Sequence, residues 1–220
     1  MPPVLQITES IDSFEKKVLK AMREELNNLL PPLKDKIEIS IKNRTDVFFL
    51  QTKEAQALIN GPLNQHFGIP QGEAAVKVGS IIRTISNSIE VTFNRVSVNG
   101  KSLRGGFTVG VLVNDFSDVL ANPESTVTTD DGQVLPWLQW LLIEGDRIII
   151  KDYEIAFGRY RNSRAGGAIM KKKTGGIWRV PPEYSGTVRK NWLTRAILDA
   201  SDAYIDMVGA VIETELSKVF

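Results

Sequence analysis

The chain has 220 residues, 42% of them hydrophobic, enough for one sizeable core. It contains no cysteine, which excludes disulfides, thiolate metal sites and cysteine nucleophiles together and fits a reducing cytosol. Its 27 Lys and Arg balance 26 Asp and Glu, so no global field attracts a polyanion and a nucleic-acid role needs a local patch.

The first ten residues, MPPVLQITES, carry neither a basic nor an apolar stretch, so no secretory signal is expected. Residues 8–30 read as an amphipathic helix. Ile11, Phe14, Val18, Met22, Leu26 and Leu29 recur near a 3.6-residue period, Thr8, Ser10 or Asp12 can cap it, and Pro31–Pro32 ends it. Over residues 33–42 the string KIEISIK alternates like a strand but also fits a helix, and a helix is the reading adopted. These segments make an N-terminal helical region over residues 1–45. Residues 46–74 read as short helical turns broken at Gly61–Pro62 and Ile69–Pro70, and residues 74–86 as a further helix.

Strands follow. Ile89, Val91 and Phe93 alternate with Glu90, Thr92 and Asn94, and Phe107, Val109, Val111 and Val113 alternate in turn. Asn99–Gly100 between them is a strong hairpin signal, and Gly105–Gly106 suggests a bulge. DFSDVLA reads as one or two helical turns, and STVTTDDG as a strand closing on an Asp–Gly turn. VLPWLQWLLI is apolar on nearly all sides and reads as a short buried helix; it has about half the ~20 residues that a membrane span needs. RIIIKDYEIAF reads as a strand, and from Val188 a closing helix carries Leu193, Ile197, Ala200, Tyr204, Val208 and Val211 in one stripe. The fold class is α+β: mostly antiparallel sheet in a single domain over residues 1–220, flanked by N- and C-terminal helices, with an extended basic arm over residues 159–187.

No catalytic constellation emerges. His66 is the only histidine and reads as structural, and no G-x-S-x-G elbow accompanies it. GGAIMKKKTGG fails as a phosphate loop because Lys172 stands where the glycine before Lys-Thr is required. Asp130–Asp131 and Glu144/Asp146 fall at turns, where carboxylates commonly serve local hydrogen bonding. No enzyme, cofactor or metal site is therefore expected.

One segment is polarised. Arg159, Arg161, Arg164, Lys171, Lys172, Lys173 and Arg179 lie together with no acid among them, interleaved with Tyr160 and Trp178 and followed by Pro181–Pro182 and Tyr184. Three readings are open: a solvated hairpin, a contact to nucleic-acid phosphates with Trp178 stacking, or an arm docking on an adjacent subunit.

The order LPWLQWLLIEGDRIIIKDYEIAF, SRAGGAIM and WRVPPEYSGTVRKNWLTRAI resembles structural proteins of tailed bacteriophages at the head–tail neck, among them tail-completion and tail-terminator proteins. The likeness runs from about Asp146 to Ile197 and more loosely back to Asp46. It implies a virion protein assembled in the host cytoplasm as a homo-oligomeric ring, six- or twelve-fold, tail completion, terminator or connector in kind. Its implied partners are its own copies, neighbouring neck, portal or tail proteins, and DNA passing through the channel without sequence readout, with no membrane. Arg159, Arg161, Arg164, Lys171, Lys172, Lys173, Trp178, Arg179 and Tyr184 are then the candidate interface. The alternative from another class is a sequence-independent DNA-binding protein using the Arg159–Arg179 segment. On the docking reading Trp178→Ala weakens assembly and leaves the isolated fold intact.

Overall fold

The computed structural model describes residues 10–111 and 116–218. Thr8, Val113 and Asp115, read above as a cap, a strand position and a helix start, lie outside them. Helix α1 (Ile11–Leu29) begins after Ser10, whose hydroxyl accepts from the Ser13 N–H at 3.3 Å, so Ser10 is the cap. A 3₁₀ turn at Pro31–Leu33 leads into α2 (Lys34–Leu50). There the ambiguity of KIEISIK resolves. Ile37, Ile41, Thr45 and Phe49 stand four apart and are all buried, whereas the alternating Ile39 is exposed. A helical repeat sustained over four positions outweighs a strand pattern that stops at Lys42.

Three helices follow: α3 (Lys53–Asn60), capped by Thr52, α4 (Leu63–Phe67) and α5 (Ala74–Asn87). Strands β1 (Glu90–Asn99) and β2 (Ser102–Gly110) pair antiparallel around Asn99–Gly100. Next come α6 (Ser117–Ala121), a small ribbon of β3 (Val127–Thr128) with β4 (Val134–Leu135), and α7 (Trp137–Leu142). A longer ribbon pairs β5 (Ile150–Phe157) with β6 (Ala168–Trp178), before α8 (Trp192–Asp199) and α9 (Ser201–Leu216) close the chain. The fold is thus α+β, with antiparallel strands and helices at both ends. Among the described residues the strands form three separate two-stranded ribbons.

The chain divides into two compact units. The first comprises Met1–Ser40, Glu90–Gly110 and Asp206–Phe220. Its β1–β2 register jumps between Asn94 and Ser97, so Arg95 and Val96 face the single residue Gly105. Such a bulge takes backbone groups out of the ladder, and buried ones need other partners. The Asn27 side chain of α1 supplies them: its amide N–H donates to the Val96 carbonyl at 2.9 Å and its oxygen accepts from the Val96 N–H at 2.8 Å. Gly105 has φ +142°, and a Cβ there would stand 2.6 Å from the Val96 Cα. Only glycine fits.

The second unit comprises Ile41–Ile89 and Val111–Ile205. Its core is aromatic at the centre, with Phe49, Phe67, Trp137, Trp178 and Trp192 all buried. Two of these indoles are satisfied: Trp137 Nε1 donates to the Glu124 carbonyl and Trp192 Nε1 to Thr52 Oγ1, at 2.9 and 2.8 Å. Asn191 caps α8 through a reciprocal pair with Thr194. The buried Glu54 carboxylate accepts from Arg195, and the buried Lys77 donates to Glu124 and to the Thr126 carbonyl.

Asn27→Ala leaves the Val96 groups unpaired and should lower stability by about 1–3 kcal/mol. Gly105→Ala should cost at least as much, whereas Gly72→Ala, with no atom within 4 Å of the added Cβ, should be nearly neutral. Urea midpoints of the three variants test this ordering.

Candidate partner interface

The polarised segment is built into the β5–β6 ribbon. Residues 168–178 of it are strand, and the register explains how KKKTGG fits. Tyr153 faces Lys172 and Lys151 faces Ile177, so Asp152 alone opposes four residues, Lys173 to Gly176. Asp152 takes up φ +60°, and its carboxylate accepts from the Gly175 N–H at 2.9 Å. The glycines therefore close a wide bulge in β6.

The cations separate by role. Arg164 points inward, donating from Nε to the Gly68 carbonyl at 2.6 Å and from Nη1 to the Thr128 carbonyl at 3.3 Å. Lys171 lies 4.7 Å from the centre of the Tyr160 ring. Lys173 is ion-paired with Glu154, and Arg179 stands 3.8 Å from Asp146. Tyr184 is half-buried with Lys53 over its ring at 5.7 Å. Among the described residues Arg159, Arg161 and Lys172 are left exposed without an ion pair or hydrogen bond. Tyr153, Phe157, Met170 and Ile177 add exposed apolar surface to the same ribbon.

Trp178 lies elsewhere than a docking arm requires. It is 3% exposed, with its ring centroid 5.2 Å from that of Trp140 and 6.3 Å from that of Phe67. The indole belongs to this chain's own core and cannot also fill a neighbour's pocket. The expectation that Trp178→Ala spares the isolated fold is corrected accordingly.

A cavity of about 390 Å³ opens beside Trp178. His66, Trp140 and Asp130–Asp131 also line it, brought together from positions far apart in sequence. No spacing rule joins these residues, so sequence reading took each singly; the one usable signal was the density of Trp around residues 137–140 with Asp-Gly just before it. His66 Nδ1 is buried without a partner, and the ring meets Phe157 edge-on at 5.3 Å. Burial holds the His66 pKa below its ordinary value, with the Glu183 carboxylate opposing more weakly. Among the described residues no group of three or more His, Asp or Glu is placed to hold a metal ion.

Comparison with protein-family models, with curated proteins and with solved structures finds no match.

Trp178→Ala should destabilise the second unit by roughly 3–5 kcal/mol, read as a lowered urea midpoint. His66 adds a pH dependence. Its folded pKa lies below 6.5, so its contribution is complete above that value and is lost as pH falls below it, where the unfolded chain takes up the proton first. Between pH 7.5 and 5.5 the urea midpoint of the native protein should fall more than that of His66→Gln.

Proposed function

We propose that the chain is a structural subunit of a tailed-phage virion that assembles with copies of itself into a ring at the head–tail neck, as a tail-completion, tail-terminator or connector component around the DNA channel. The phage assignment rests on the likeness of the stretch from Asp146 to Ile197 to such proteins. The oligomeric part is carried by one observation, the open apolar stripe of α1. Ile11, Phe14, Val18 and Met22 stand three or four residues apart, and all are exposed, Ile11 at 78% and Phe14 at 60%. An amphipathic helix normally turns such a stripe inward, and a contiguous exposed one marks an interaction surface.

A ring repeats one heterologous contact, which needs two different patches on each subunit. The α1 stripe is one candidate. The β5–β6 ribbon, with Arg159, Arg161 and Lys172 free beside exposed apolar side chains, is a second of different chemistry. The same three cations support a second reading, in which the ribbon holds duplex DNA through phosphate contacts alone.

Light scattering across a concentration series should give a discrete multimer of six or twelve copies. Phe14→Glu with Val18→Glu should leave a monomer whose urea midpoint is unchanged. Reversing Arg159, Arg161 and Lys172 to Glu should alter stability by no more than about 0.5 kcal/mol for each substitution, because none has a partner to lose, while reducing the assembled mass. A native protein that stays monomeric at every concentration yet binds duplex DNA with a steep salt dependence would move the assignment to the DNA-binding reading.

A further inference from the structure

The cavity beside Trp178 has the attributes of a binding site. Its volume, about 390 Å³, lies at the lower end of the roughly 300–1,000 Å³ typical of ligand pockets. One wall is aromatic: Phe67, Trp140 and Trp178 meet at centroid distances of 5.2 to 6.4 Å. Two of its lining residues, Trp178 and His66, carry buried ring nitrogens without a hydrogen-bond partner. The other buried indoles of this unit, Trp137 and Trp192, both donate hydrogen bonds. An unpaired buried donor costs about 1–3 kcal/mol, so the Trp178 ring is held in place by its packing and not by a hydrogen bond.

The charge on the lining indicates which ligand the cavity suits. Asp130 and Asp131, in the β3–β4 turn, are exposed, and neither takes part in an ion pair among the described residues. Arg164 also lines the cavity, but its Nε and Nη1 are engaged by the Gly68 and Thr128 carbonyls. Two carboxylates and one guanidinium that is already held thus line the cavity, leaving net negative charge beside an aromatic wall. A delocalised cation suits both features: it lies on indole faces and pairs with carboxylates in a planar fork. His66, held neutral by burial, adds no opposing positive charge.

We propose that this cavity binds an arginine side chain of a partner polypeptide, with the guanidinium between the Trp140–Trp178 wall and the Asp130–Asp131 carboxylates. This site does not depend on the ring reading, since it requires only a partner segment that carries arginine.

The test uses the full chain and the capped tripeptide acetyl-Gly-Arg-Gly-amide, followed through the indole N–H resonances, with that of Trp178 assigned from Trp178→Phe. Saturable movement of the Trp178 signal is expected. The citrulline peptide, equal in shape and uncharged, should bind at least about tenfold more weakly, as should the arginine peptide to Asp130→Asn/Asp131→Asn. That double variant should keep the native urea midpoint, because neither carboxylate is paired. Absence of saturable movement, equal binding of the citrulline peptide, or binding of free arginine but not the capped peptide would overturn the proposal; in the first case the cavity holds water alone.

Discussion

The second unit depends on the burial of Trp178. This residue ends β6, pairs across the ribbon with Ile150, and its carbonyl accepts from the Ile149 N–H at 2.9 Å. Its ring is held by Phe67 from α4 and Trp140 from α7. One side chain therefore ties the end of a ribbon, a short helix and a one-turn helix into a single core. A large aromatic group removes more apolar surface from water than any other side chain, and this outweighs an indole N–H left without a partner. Between Trp178 and the buried Ala168 the middle of β6 runs through solvent, and Lys171 to Gly175 are exposed although they lie in a strand.

That anchoring changes the meaning of the basic run. In sequence, seven cations form one patch. In the folded ribbon, alternation and the bulge distribute them: Arg164 serves two backbone carbonyls, Lys171 an aromatic ring, Lys173 and Arg179 carboxylates. A guanidinium that holds backbone carbonyls of its own chain is part of the scaffold, whereas an exposed, unpaired one is available to another molecule. The surface that a partner would meet is consequently smaller than the charge run suggests, and it is mixed with apolar side chains. Such a mixture suits protein contacts at least as well as a phosphate backbone.

The first unit shows a complementary economy. Its hairpin is bent by a bulge, and a single amide from α1 fills both backbone positions that the bulge vacates. Two hydrogen bonds of fixed geometry set how α1 lies on the hairpin, while the stripe of Ile11, Phe14, Val18 and Met22 stays exposed. The helix thus keeps Leu19, Leu26 and Leu29 half-buried, is tied to the hairpin through Asn27, and leaves open the N-terminal part of an apolar stripe that a surface helix ordinarily buries.

Local chemistry in the sequence determined a good part of this protein. The Asn99–Gly100 hairpin, the Pro31–Pro32 stop, the breaks at Gly61–Pro62 and Ile69–Pro70, and the buried helix around Trp137 all follow from backbone geometry or from side-chain period, which neighbouring residues set by themselves. Gly105 was visible as a bulge signal, but not the Asn27 amide that completes it, since that partner lies some seventy residues away. The tertiary structure alone decided which face of α1 stays open, which cations remain free and where Trp178 goes. It also brought His66, Asp130, Asp131 and Trp140 around one cavity. Those outcomes depend on competition among distant groups for burial and for hydrogen-bond partners, and no spacing along the chain encodes the result of that competition.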